Sequence, residues 1–183
     1  MSSTIPRALL LIFPRDIPSL TSTVCGTCSV RNLVLSVLLM LFLPSKAVTC
    51  TVPQNAANLS HKLAQQINQT RMRHGLTVLT MSQELFLAAQ QHACDNARHN
   101  RLSHTGTDGS NFGQRILRVN YSYRFAGENV ALGYATPDAT LQAWLQSAGH
   151  RRNVLSSHPD NLGLGVARGE DGRLHWVMLV GQR

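Results

Sequence analysis

At 183 residues, 43% apolar and 14% charged, the chain is long enough for one folded domain with an appendage and too apolar for a disordered segment. A net charge of +8 raises nucleic acid as a partner. Yet Arg71, Arg73, Arg98, Arg101, Arg115, Arg118 and Arg124 are scattered, and no stretch interleaves basic with aromatic residues, so nucleic-acid binding is not the expectation; a basic surface suited to an anionic envelope or lipid headgroups is.

Residues 1–47 read as a leader. The apolar run from Leu33 to Leu43 is shorter than the about 20 residues that span a bilayer, and it matches a signal-peptide core. Arg31 gives it a positive flank, and Ser45-Lys46-Ala47 places small residues for cleavage after Ala47. The long lead-in is explained if translation starts near Val30. Cys25 and Cys28 fall in this leader with no second ligand pair, which makes their spacing a coincidence rather than a metal or redox site. The mature chain is therefore expected to carry no transmembrane segment and to be secreted or periplasmic. The alternative is a lipoprotein anchored through Cys50, with 47–50 as its lipobox, although Thr49 is bulky for the position before the cysteine. Export leaves two outcomes for the remaining cysteines: a Cys50–Cys94 disulfide, or a lipidated Cys50 with a buried free Cys94.

After a linker at 48–57, a domain is expected over 58–183. The spacing of Leu59, Leu63 and Ile67 predicts a helix over 58–74, stopped by Gly75. Residues 76–80 form an extended link. Ser82 caps a second helix over 83–99, with Glu84 in its first turn and an inner stripe of Leu85, Ala88, Ala89, His92, Ala93 and Asn96. On that stripe His92 reads as a satisfied, partly buried histidine. Gly, Ser, Asp and Asn make 103–111 a loop, and Asn111 starts a helix over 112–120. A strand follows around 125–133. Thr136 and Pro137 open the next helix, whose apolar face is Leu141, Trp144 and Leu145 and whose end is set at Gly149. One more helical turn is expected over 150–155. Strands at 161–169 and 174–181 are joined by the Asp171-Gly172 hairpin turn, the second of them buried on both faces. This order predicts an α+β fold: a three-layer α-β-α sandwich around a short antiparallel sheet.

Three element boundaries carry chemistry: Ser103-His104-Thr105-Gly106, Gly127-Glu128-Asn129-Val130 and Gly149-His150-Arg151-Arg152-Asn153. A carboxylate at the head of a buried strand demands a partner, so Glu128 is expected to face something specific. Two histidines and a carboxylate form the ligand set of a zinc site with an open position, or a general acid/base set near neutral pH. Taken singly, each loop histidine is more often a hydrogen-bonded surface group than a ligand.

Together with the run from Trp144 to Asn153 and the glycines Gly163 and Gly165, these motifs resemble the CAP superfamily. That family takes in cysteine-rich secretory proteins, antigen 5 and plant pathogenesis-related proteins of group 1, and its domain is also called SCP. The likeness is to short bacterial secreted members and covers about residues 58–182. It implies a central cleft in which His104 and His150 are the two histidines, open to zinc or another divalent metal, and Glu128 is the glutamate of the GEN motif. Many members have a second glutamate there; here its place falls near Ser147, and no acid is present. Asn129 and Ser147 are the remaining cleft neighbours. The resemblance implies no single reaction. Three readings follow: a binding module for a small or lipidic ligand or an envelope component; a metal-dependent hydrolase using His104, Glu128 and His150; and a structural domain in which Glu128 ties the histidine loops without chemistry.

Overall fold

The structure, a computed structural model, describes residues 50–183. The leader, its cysteine pair, the cleavage point after Ala47 and the start near Val30 lie outside the described residues. The elements run α1 (Ala56–Arg73), β1 (Thr80–Met81), α2 (Gln83–Arg98), α3 (Phe112–Arg118), β2 (Phe125–Leu132), α4 (Pro137–Gln146), α5 (Ala148–Val154), β3 (Asn161–Arg168) and β4 (Leu174–Gln182). Local chemistry sets the starts. Ser82 accepts from the Leu85 amide, Asn111 forms a capping box with Gln114, and Thr136 accepts from the Ala139 amide with Pro137 behind it. Gly75 after α1 and Gly172 in the β3–β4 turn take positive φ, 70° and 79°, as their positions require.

The four strands lie in the order β1-β3-β4-β2. β4 pairs antiparallel with both β3 and β2. The expected all-antiparallel sheet gains one parallel member: Thr80, the end of the expected link, and Met81 pair with Asn161 and Leu162. Two residues are too few for a periodic signal, and the partner lies across the chain. On one face Leu63 and Ile67 of α1 and Leu141 and Trp144 of α4 pack on Leu162, Leu164, Trp176, Met178 and Val180. On the other, Leu85, Ala88, Ala89 and Ala93 of α2 and Ile116 of α3 pack on Val130, Val177 and Leu179. Alternate residues of β4 thus enter different cores, which is why its sequence is continuously apolar. The three expected layers follow. Gly163 and Gly165 let α2 lie directly on β3, since a Cβ there would stand 2.2 Å and 2.4 Å from the main chain of Leu85 and Ala89.

Two boundaries differ from expectation. The helix opened by Thr136 stops at Gln146 rather than Gly149, because Ser147 is extended and separates α4 from α5. Residues 50–55, read as linker, are fastened to the domain: Thr51 bridges Arg168, and a disulfide joins Cys50 to Cys94 of α2.

Candidate functional site

β2 is an edge strand, and its successive side chains point to opposite faces. Glu128 shares a face with Val130 and looks into the α2–α3 layer, whereas Asn129 looks towards α5. Two adjacent residues therefore reach the two helical layers on either side of the sheet, and each layer carries one of the histidines.

On the α2–α3 side, the Glu128 side chain is 1% exposed and fully engaged. Arg115 Nη2 donates to its Oε2 at 2.6 Å, and His104 Nδ1 lies 2.9 Å from its Oε1. An ionised carboxylate only accepts, so Nδ1 of His104 carries the hydrogen and Nε2 is left without this partner. His104 itself is half exposed. Its loop is pinned from below: His92 Nε2 and Asn96 Nδ2 both meet the Ser103 carbonyl, at 2.8 Å and 3.0 Å. His92, expected to be partly buried and satisfied, is 1% exposed with Nδ1 unpartnered, and its Nε2 lies 4.0 Å from Glu128 Oε1. Burial lowers its pKa, with Glu128 acting in the opposite direction.

On the α5 side, Asn129 is fully buried and donates to the His150 carbonyl at 3.0 Å. Asn153 Nδ2 reaches back to the Glu128 carbonyl at 3.0 Å and to Asn129 Oδ1 at 2.8 Å. Gly127 makes room for it: a Cβ there would stand 2.8 Å from Asn153 Oδ1. At the far end of α5, the buried Arg71 donates to the carbonyls of Val154 and Ser156. The glycine, acid and amide of the motif at 127–129 thus each have a mechanical reason.

The two imidazoles meet across this edge with ring centroids 6.4 Å apart, tilted by 42°. Burial, and then the neighbouring His104, lower the pKa of His150, which favours its neutral ring. The expected two-histidine-one-carboxylate set is not what these side chains form. Both Glu128 oxygens accept hydrogen bonds within the fold, and among the described residues no three His, Cys, Asp or Glu side chains are arranged to hold a metal ion. Glu128 instead stands behind His104 as the partner that fixes its ring. Asn129 is an internal tie rather than a cleft-facing group. Ser147 is half-buried at the α4–α5 joint, and its side chain makes no cap. Arg115, Asn153 and Arg71 escaped the sequence reading as site residues. Asn153 was within reach as the last residue of the quoted Trp144–Asn153 run; the two arginines gave no local signal.

The larger grooves lie elsewhere. One of 420 Å³ is lined by Val52, Pro53, Ala56, Ala57, Phe86 and Gln90, and a neighbour of 380 Å³ shares Ala57, Ser60 and Phe86; neither includes His104, Glu128 or His150. Among the described residues no helix is long and apolar enough to cross a membrane.

Residues 64–180 match the family described as CAP, the cysteine-rich secretory protein family. The chain is 30% identical over 135 residues to the uncharacterised protein YkwD of Bacillus subtilis (strain 168), covering 73% of this chain and 51% of YkwD. It is 34% identical over 101 residues to the uncharacterised membrane protein YlbC of the same organism, covering 55% of this chain and 29% of YlbC. It spans about half the length of the first of these relatives and less than a third of the second. Among solved structures, an extracellular SCP-domain protein from Bacillus anthracis str. Ames superposes with a TM-score of 0.65 at 28% identity, covering 71% of this chain and 42% of that one. An outer surface protein of Borrelia burgdorferi has the same fold, with a TM-score of 0.63 at 24% identity over 67% of this chain and 91% of that one.

Proposed function

Because the chain belongs to the CAP family of cysteine-rich secretory proteins, we propose that it is an extracytoplasmic binding module whose contact groups are the imidazoles of His104 and His150. The observation that carries this reading is the commitment of both Glu128 oxygens to Arg115 and His104. A carboxylate general base needs an oxygen free to meet substrate; each Glu128 oxygen is already engaged within the fold, and the place of the second acid holds Ser147 instead. The His104 Nε2 and the ring of His150 are the free polar groups, and they suit zinc or another divalent metal together with a small or lipidic ligand that completes its shell. A bound metal would supply Lewis acidity and a fixed point of attachment for an oxygen of the ligand. The chain's own residues hold the two rings: Glu128 orients His104, and Asn129 with Asn153 holds α5. A secreted location is supported by the extracellular and outer-surface character of the solved relatives and by the Cys50–Cys94 disulfide, which belongs to an oxidising compartment. A Cys50 sulfur engaged in that disulfide is not available for a lipid thioether.

The test is calorimetric titration of zinc chloride into the purified domain at pH 7.5. One zinc per domain is expected, with binding lost in His104→Ala and in His150→Ala and weakened as acid protonates the rings. Wild-type protein that binds no zinc, or binding that survives loss of both histidines, removes the metal from the reading. Turnover of a peptide or ester substrate that Glu128→Gln abolishes overturns the binding module in favour of a hydrolase.

A further inference from the structure

We infer that Arg115 is the positioning residue of the cleft: its guanidinium holds Glu128 as an orienter of His104 and thereby sets which nitrogen of His104 faces the ligand. This rests on the binding reading above.

Arg115 lies one turn into α3 and is 7% exposed. Its planar fork meets three acceptors at once. Nη2 donates to Glu128 Oε2 at 2.6 Å and to the His104 carbonyl at 3.1 Å, and Nη1 donates to the Ser110 carbonyl at 2.7 Å. It therefore clamps both ends of the 104–110 loop to the carboxylate on β2. A lysine ammonium, compact and on a flexible stem, does not span the same three acceptors. Because Oε2 is drawn to Arg115, Oε1 is the oxygen presented to His104 Nδ1. That contact fixes the hydrogen on Nδ1 and, in the neutral ring, the lone pair on Nε2. Remove the guanidinium and the buried carboxylate has two other donors to choose between, His104 and the nearby His92, while the His104 main chain loses its tether.

Arg115→Met and Arg115→Lys test this through two readouts. The first is the His104 tautomer in the metal-free protein, read by long-range ¹⁵N–¹H NMR at pH 8. The second is zinc affinity by calorimetry. Wild type is expected to show a single Nδ1–H tautomer. Arg115→Met should shift His104 towards the Nε2–H form that free imidazole prefers, and should weaken zinc binding about 10- to 100-fold, the usual effect of losing an outer-shell partner. Arg115→Lys should show both tautomers and an intermediate affinity. A folded Arg115→Met protein with the Nδ1–H tautomer intact and affinity within about twofold of wild type overturns the inference. Where Arg115→Met does not fold, the same result in Arg115→Lys overturns it. A wild-type protein that binds no zinc sinks the metal reading instead, and the tautomer still decides the role of Arg115.

Discussion

Glu128 and Arg115 form a pair that burial makes costly to break from one side. Glu128→Gln keeps the shape but leaves a guanidinium without its counter-charge in a site with 1% exposure of the Glu128 side chain. Removing one partner of a buried pair costs about 3–5 kcal/mol, and the remaining amide hydrogen bond places the expected loss at the low end, about 3 kcal/mol by urea denaturation. An unchanged midpoint would mean that the pair is solvated in solution. A second expectation concerns Gly127. Gly127→Ala should destabilise by about 1–3 kcal/mol, because its Cβ would meet the Asn153 carboxamide. Adding Asn153→Ala should cost less than the sum of the two single changes, since the clashing group is then gone. Strict additivity would place the strain elsewhere. At this scale Glu128 was legible because a carboxylate beside an apolar strand must have a partner, and His104 through the motif resemblance. Arg115 was not: one arginine among scattered others looks like surface, and only folding turns it inwards, onto a carboxylate in the next element.

Helices were legible from side-chain caps at Ser82, Asn111 and Thr136, and α1, which has no such cap, from the spacing of Leu59, Leu63 and Ile67 and the stop at Gly75. Ser147 offered no such mark, since its side chain caps nothing and its break is made by backbone alone. The β1 strand was hidden because its pairing is parallel and remote in sequence. The α2–β3 contact makes a sharp prediction. Gly165→Ala drives a methyl into the main chain of Ala89, which no rotamer change can relieve, so α2 must lift from the sheet. Overpacking of this kind costs about 3 kcal/mol or more. Trp144→Ala on α4 should cost about 3–5 kcal/mol, because the ring is 1% exposed in the opposite core. Circular dichroism melts of both variants check this. A Gly165→Ala protein as stable as wild type would mean that α2 does not sit so close.

Across the whole molecule, stability should depend on pH through its buried histidines. Burial lowers the folded-state pKa of His92 and His175 below the value near 6.5 of the unfolded chain. The unfolded state then binds more protons, so stability is complete above about pH 7 and falls as the pH drops below about 6.5. His175 is 1% exposed and burial is the main cause of its lowered pKa, so His175→Phe is expected to flatten part of that slope. Urea midpoints between pH 5 and 8 decide this, and a flat profile for wild type refutes it. The disulfide is the other molecule-wide term. It closes a loop of 44 residues, for which chain entropy predicts about 4 kcal/mol, lost in the double variant Cys50→Ser, Cys94→Ser. The same bond decides how the domain bears load. A pull on Cys50 passes through sulfur into the last third of α2, the helix seated directly on β3. The single bridge at Thr51 and the first turn of α1 are shielded behind it.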